Sequence, residues 1–265
     1  MLRVYQRLWQ VNWAEQWQYR ANLIMYLLFW LVSPVVYLAV WTTIARSQGS
    51  VSGLTPNDFV TYYMTLLIVD QLTSEITIHI FAYKIQDGTL AGELTRPIHP
   101  MLTNTLVNNI AFKALTLMVL MPVWVVLWIL FQPNFASVSW LGVLLAVPAV
   151  ILGFAVSFLL GATLICVAFW TTRVWALVEF YSALVVLFSG QFVPLQLMPG
   201  IVQDIARFLP FQLYKYFPIE LILGGLSPAQ ILFGYGMDVI WLVVALVLFR
   251  WAWRNGLKKF SAVGA

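Results

Sequence analysis

The chain of 265 residues is 62% hydrophobic and only 9% charged, with a formal net charge of +4. Soluble domains are about 45–50% apolar and about 25% charged, so a soluble fold of this composition would expose large apolar patches and aggregate. The composition therefore excludes an ordinary soluble protein and indicates an all-α polytopic membrane protein.

The first predicted element is a helix over residues 1–20 that is too polar to span a bilayer. Tyr5, Trp9, Trp13 and Trp17 recur every four residues, and Arg and Gln side chains occupy the adjoining face. This pattern is typical of an interfacial amphipathic helix in the headgroup zone. A helix that packs on the cytoplasmic end of the protein itself fits the pattern equally well.

Six apolar segments follow, each at least as long as the roughly 20 helical residues that a bilayer core requires; the fourth exceeds that length and would need to tilt. In chain order, the predicted transmembrane helices cover 22–44, 58–81, 110–131, 141–170, 174–193 and 230–251. The second is the most polar of them. An even number of crossings places both termini on the same side of the membrane.

The basic residues favour one orientation of these helices. Eleven of the 14 Lys and Arg residues fall on the side of the termini, and Arg46, Arg207 and Lys215 fall on the other. Cytoplasmic loops carry the excess of Lys and Arg. We therefore expect cytoplasmic termini in a bacterial inner membrane, and we expect the basic C-terminal tail to be a membrane anchor with no nucleic acid as partner.

The segment 194–227 precedes the last predicted crossing and has an unusual composition for an outer loop. It contains four prolines and apolar stretches that are too short to cross a bilayer. Irregular backbone at membrane depth must be covered by protein or must line a cavity. We therefore expect outer re-entrant helices in this segment.

Ionisable residues inside membrane spans cost free energy and are candidates for a substrate path. The candidates are Asp70, Glu75, His79, Glu179 and Asp238. The alternative function of such residues is buried pairing that fixes the register between helices.

Other patterns give weaker or negative expectations. Ala149, Gly153, Ser157 and Gly161 form a ridge of small residues that suits close helix packing, within the subunit or between subunits. We expect no metal site and no catalytic site, because the only two histidines lie in different segments. The sequence also lacks a Walker A motif, so we expect no bound cofactor.

The cytoplasmic segment 84–101, KIQDGTLAGELTRPIHPM, is the longest polar stretch between the apolar runs. A turn at Gly88 and a short helix over 89–95 are predicted, with the helix ending before Pro97. Leu90 and Leu94 lie one turn apart in that helix, and we expect both to be exposed. Apolar anchors beside charges suit a groove on a soluble partner.

The order of these elements resembles the membrane subunit of a type-2 ATP-binding-cassette exporter, an ABC-2 permease. More narrowly, the chain is similar to bacterial ABC-2 permeases that have a Gly-x-Leu loop ending in Leu-x-Arg-Pro and a later proline-rich stretch. The matching residues are Gly88, Leu90, Leu94, Arg96 and Pro97 in the loop, and Pro210, Phe217, Pro218, Leu223 and Gly224 in the later stretch.

The resemblance implies an ATP-driven exporter in which this chain forms the path and a separate ATPase subunit binds ATP and Mg²⁺. It also implies a second permease, either an identical copy or a related chain. We expect the segment 84–101 to be the coupling element, through Gly88, Leu90, Glu93, Leu94, Arg96 and Pro97. The alternative is an ion-coupled secondary transporter, for which residues 22–131 and 141–251 show no convincing inverted repeat.

Overall fold

The computed structural model describes residues 2–75, 78–136, 138–171 and 173–260. The described chain is almost entirely helical, and the one extended pairing in these ranges is a bridge between Val51 and Leu54. The helices are α1 Leu2–Gln18, α2 Arg20–Gln48, α3 Pro56–Thr73, α4 Ile78–Gln86, α5 Leu90–Leu94, α6 Val107–Phe131, α7 Trp140–Ile165, α8 Val174–Phe188, α9 Gly200–Phe208, α10 Phe211–Tyr214, α11 Tyr216–Leu223 and α12 Pro228–Leu257.

Within the described residues, four helices are long and apolar enough to cross a membrane. They are Ala21–Gln48 in α2, Val107–Phe131 in α6, Trp140–Phe169 in α7 with the 3₁₀ turn that follows it, and Pro228–Leu257 in α12. Their mean hydropathies lie between 2.3 and 2.7. A helical multi-pass membrane protein is therefore confirmed, with fewer self-sufficient crossings than the six predicted.

Two helices account for the difference. In α3, 13 of the 18 residues are buried inside the protein, so other helices rather than lipid surround it and its composition can be polar. In α8 the helix has only 15 residues, which gives about 22 Å at 1.5 Å per residue. That length is shorter than the roughly 30 Å of a bilayer core.

The predicted crossing 58–81 is divided into α3 and α4. The backbone leaves the helical region at Ser74, whose ψ is 142°. The Ser74 hydroxyl is 2.6 Å from both the backbone oxygen and the carboxylate Oδ1 of Asp70, and such local bonds compete with helix continuation. Lys113 of α6 donates to the backbone oxygens of Gln71 and Ser74. The last carbonyls of α3 are thus satisfied from another helix.

The segment 194–227 packs tightly against α7. A Cβ atom at Gly153 would lie 2.5 Å from the backbone oxygen of Leu213, and one at Gly142 would lie 2.5 Å from that of Leu221. Ala149, Ser157 and Gly161 are also buried in α7. The ridge of small residues is therefore used for packing within this chain.

The N-terminal helix α1 contacts the beginning of α6. Asn12 is 5% exposed, and its Oδ1 accepts a hydrogen bond of 3.0 Å from Nδ2 of Asn108. Trp9 and Trp17 remain exposed on α1. The helix therefore packs on its own protein and still presents indole rings to its surroundings.

Candidate substrate path and coupling segment

A cavity of about 250 Å³, with several polar and charged residues in its wall, lies at the end of α3. Side chains or backbone from α2, α3, α7, α8 and the outer segment contribute to its wall, among them Asp70, Glu75, Ser157, Tyr181 and Lys215. Two of the five predicted path residues, Asp70 and Glu75, are thus brought to one cavity. Ser157, predicted only as a packing residue, also lines it.

A buried ion pair forms part of this wall. Lys215 Nζ lies 2.7 Å from Asp70 Oδ1, and the two side chains are 5% and 1% exposed. The same ammonium donates a hydrogen bond of 2.6 Å to Oε1 of Gln191. Lys215 belongs to the predicted outer segment. The pair therefore ties that segment to Asp70, which lies close to the C-terminal end of α3.

Lys113 adds a second buried ammonium near the cavity. The side chain is only 6% exposed, and Nζ is 3.0 Å from the backbone oxygen of Gln71. It also lies 5.0 Å from the ring centroid of Phe154. A cation at a helix C-terminus is favoured by the helix dipole, so Lys113 stabilises the end of α3 that carries Asp70.

The other three predicted path residues do not line this cavity or lie outside the described residues. Glu179 is exposed on α8 and does not line the cavity. Asp238 is fully buried on α12, and neither carboxylate oxygen has a hydrogen-bond partner in the described part of the chain. The side chain of His79 lies outside the described residues.

The segment 84–101 forms the predicted turn and short helix. Gly88 has a φ of 80°, in the left-handed region that favours glycine. Asp87 Oδ1 accepts hydrogen bonds from the backbone nitrogen and the hydroxyl of Thr89, at 3.0 and 2.8 Å. These bonds lower the pKa of Asp87 below its ordinary value. The turn into α5 is therefore fixed by side-chain chemistry that the sequence displays.

The expected exposure of Leu90 is wrong. Leu90 is fully buried and belongs to an apolar cluster that includes Phe81, Met101 and Trp253. Glu93 also points to its own chain, because its Oε1 lies 2.7 Å from Lys84 Nζ.

The predicted coupling residues that are exposed lie instead in its C-terminal part. Leu94 is 37% exposed, and Arg96 and Pro97 are exposed beside it. The sequence pattern places Leu90 and Leu94 one turn apart, but it cannot show that Leu90 packs against the other helices and anchors the segment.

The segment returns to the bundle at His99. Its ring lies 4.7 Å from that of Trp253, and its Nδ1 accepts a hydrogen bond of 3.2 Å from the backbone nitrogen of Met101. Partial burial lowers the pKa of His99 below the usual 6.5. Both ends of the segment are thus held against the helical bundle.

When the chain is compared with known families, one family of membrane proteins matches most of it. The model of the family described as ABC-2 family transporter protein covers residues 31–264. The chain belongs to this family. It is accordingly a multi-pass membrane component of ABC transport, and proteins of this kind generally act with an ABC ATPase subunit. No individually curated protein matches the chain.

Several residues of this ABC-2 permease that shape the cavity were not identified as site residues from the sequence. Lys215 and Lys113 entered only as markers of membrane side, and Gln191 and Tyr181 were not considered. A signal for Lys215 was present, because the lysine is embedded in the apolar and aromatic stretch FQLYKYFPIE. A charge in such surroundings is usually buried and paired.

The described part of the permease offers no evident metal centre. No group of three or more His, Cys, Asp or Glu side chains in these ranges could hold a metal ion. The ionic groups around Asp70 include two ammonium groups, which would repel a cation.

Proposed function

We propose that this ABC-2 permease is the path-forming subunit of an ATP-driven exporter in the bacterial cytoplasmic membrane. It would pair with a second permease, identical or related, and take its energy from a separate ATPase that binds ATP and Mg²⁺. The single observation that carries the proposal is the polar cavity with its buried Asp70–Lys215 pair, in a chain of a transporter family.

The cavity supports a path role for Asp70 and Glu75. Charged groups inside a membrane protein are costly and usually face a cavity or a partner. Here the carboxylates meet hydroxyl groups and an ammonium group around about 250 Å³ of space. This volume is small for a complete substrate, so we propose that it is one stage of a path that widens during the transport cycle.

The outer segment supports a lid that re-enters the membrane. Lys215 reaches Asp70, which lies about 21 Å along α3 from Pro56 at 1.5 Å per residue. The backbone of Leu213 also reaches Gly153 near the middle of α7. If Pro56 is on the outer side, residues of the outer segment lie deep in the bundle, and moving them would open the cavity outward.

The proposed coupling surface consists of Leu94, Arg96 and Pro97. It is exposed, and the turn at Gly88 and the burial of Leu90 anchor it. A push on an anchored projection moves α4, whereas a push on a floppy loop is absorbed. We therefore propose that the ATPase groove contacts Leu94 and Arg96.

Copurification tests the partnership. The permease is coexpressed with an ABC ATPase subunit of its host and purified in mild detergent. Leu94→Asp should reduce the recovered ATPase and the ATP-driven transport together, and Arg96→Ala should do so more weakly. Exposed Gln10 of α1, changed to Ala, is the matched control. Undiminished ATPase recovery with Leu94→Asp would reject this surface, and transport driven by an ion gradient without ATP would favour a secondary transporter.

Cysteine accessibility tests the path. On a Cys166→Ala background, Ser157→Cys should react with a small thiol reagent in one nucleotide state and be protected in another. Ala149→Cys, two turns away and absent from the cavity wall, should stay protected throughout. Equal reactivity of Ser157→Cys in all nucleotide states would argue against a path through this cavity.

A further inference from the structure

A second and larger cavity lies in the outer segment, between α9, α11 and the beginning of α12. Its volume is about 660 Å³, and none of the residues that line it lines the cavity at Asp70. Ligand pockets for small organic molecules typically have volumes of about 300–1,000 Å³. The proposed path does not use this cavity.

Glu220 of α11 gives the cavity its chemical character. Its side chain lines the cavity although the residue is only 6% exposed. No described residue forms an ion pair or a hydrogen bond with its carboxylate. A buried carboxylate is stable only when an opposite charge or donors compensate for lost hydration. Glu220 is therefore a buried carboxyl group to which the described residues supply no partner.

The backbone beside Glu220 is shaped to leave room for this carboxylate. A Cβ atom at Gly225 would overlap Oε2 of Glu220. Gly225 also donates its N–H to the backbone oxygen of Glu220 at 3.0 Å, which fixes the turn. The absence of a side chain at position 225 therefore keeps the carboxylate in the cavity wall.

Aromatic rings complete the wall. Tyr216 lies one turn before Glu220 on α11, and Phe217 also lines the cavity. Phe208 of α9 and Phe233 of α12 form an edge-to-face pair with centroids 6.2 Å apart. Ring faces attract cations, and they also bind the apolar substituents of a cation.

The other charged groups of the cavity do not favour an anion over a cation. Asp204 and Arg207 lie at the rim, 70% and 59% exposed, and pair with each other at 3.3 Å. Because Asp204 and Arg207 neutralise each other, the ionisation of Glu220 determines the net charge of the wall. A hard metal ion would need about six oxygen ligands, which one buried carboxylate does not provide.

We propose that this outer cavity is a binding site for a monovalent organic cation, an amine or quaternary onium ion with apolar or aromatic substituents. The Glu220 carboxylate neutralises the charge, and Tyr216, Phe217, Phe208 and Phe233 contact the substituents. This site is additional to the proposed function, because binding there requires neither the ATPase nor transport.

Equilibrium binding to the purified full-length permease tests the site. The probe is tetraphenylphosphonium, and tetraphenylborate is its control, with nearly the same shape and the opposite charge. In an uncharged detergent we expect saturable binding of the cation only. Equal or tighter saturable binding of the borate anion, or binding of the cation to detergent micelles alone, would overturn the proposal.

Three variants locate the binding. Glu220→Gln keeps the shape and removes the charge, and we expect affinity for the cation to fall about tenfold or more. Gly225→Ala displaces the carboxylate and should weaken binding without altering any charge. Asp204→Asn removes an exposed rim charge and should change affinity less than about twofold. Unchanged affinity in both Glu220→Gln and Gly225→Ala would place the cation elsewhere and refute the assignment.

A choline headgroup has the same chemistry as a free organic cation, and competition distinguishes the two sources. Phosphatidylcholine added to the detergent should displace tetraphenylphosphonium if the cavity accepts a lipid headgroup. Diacylglycerol is the control, since it is uncharged and lacks the cation. Displacement by both lipids to the same extent would mean that the probe is held by apolar contact alone, which contradicts the role of Glu220.

Discussion

Two lysine–carboxylate pairs in this permease have the same length and different surroundings. Lys215 and Asp70 are 2.7 Å apart with side chains 5% and 1% exposed, whereas Lys84 and Glu93 are 2.7 Å apart with side chains 23% and 12% exposed. Electrostatic energy depends on the local dielectric as strongly as on distance. Equal distances therefore do not imply equal contributions of the two pairs to the stability of the fold.

The two pairs also connect different parts of the fold. Lys215 joins the outer segment to α3, across more than half of the chain, whereas Lys84 and Glu93 join α4 to the neighbouring α5. Loss of one partner leaves a buried charge at the first site, but water can hydrate the remaining charge at the second. The buried pair therefore sets the arrangement of the helices, whereas the partly exposed pair only adjusts a local turn.

The largest expected effect comes from Lys215→Met, which leaves Asp70 buried without its counter-charge. Removal of one partner of a buried pair costs about 3–5 kcal/mol of unfolding free energy. Thermal unfolding of the purified permease should show a large drop in midpoint. The double variant Lys215→Met with Asp70→Leu should recover much of this loss, since no charge is then stranded. A midpoint equal to that of the unchanged protein would show that the pair is not buried in the membrane.

The next effect concerns what holds the coupling segment in place. Leu90→Ala removes a fully buried side chain and should cost about 2–5 kcal/mol. Leu94→Ala, the same change at a 37% exposed position of the same helix, should stay within about 0.5 kcal/mol. Thermal midpoints and proteolysis of the segment measure both. Equal losses would mean that Leu94 is also an internal anchor and not part of a docking surface.

A smaller effect is expected for Lys84→Met, the chemical equivalent of Lys215→Met at the more exposed pair. Partly exposed pairs of this kind contribute about 0–1 kcal/mol, and salt screens them. The thermal midpoint should fall slightly at low salt and not at all at high salt. If Lys84→Met destabilised the protein as much as Lys215→Met, the contrast between the two pairs would fail.

The smallest effect is a pH dependence at His99. Its folded pKa lies below the unfolded value of 6.5, so the folded state binds its proton less readily. The stabilisation is present above pH 6.5 and is lost as the pH falls through the folded pKa. Thermal midpoints between pH 7.5 and 5 should decline slightly, and His99→Gln should reduce that decline. An identical decline in His99→Gln would assign it to other groups.

The sequence predicted those features best that depend only on residues of a single segment. The crossings in α2, α6, α7 and α12 follow from local hydropathy, and the turn at Gly88 follows from local chemistry. The break after α3 was not predicted, because it depends not only on local bonds of Ser74 but also on Lys113, which a different helix supplies. Hydropathy also could not distinguish α3 from a helix that faces lipid. Whether α3 is buried depends on the helices around it, not on its own residues.

The candidate site shows the same limit. The cost of a charge in a membrane identified Asp70 and Glu75 without any structure, and both line the cavity at the end of α3. The same rule did not separate Glu179, which is exposed and lies apart from that cavity, from the others. The partner of Asp70 was missed because topology assigned Lys215 to the outer side, and no local pattern showed that the outer segment folds back to α3.

The position of Asp70 and Lys215 in the chain has a consequence for biosynthesis. A ribosome makes Asp70 first and must translate more than half of the chain before Lys215 exists. At about 5–20 residues per second, this delay is on the order of ten seconds. During it, α3 sits in the membrane with an uncompensated carboxylate, so the nascent protein depends on the insertion machinery or on lipid headgroups to shelter it. Slow translation between the two residues should therefore increase degradation of an otherwise unaltered protein.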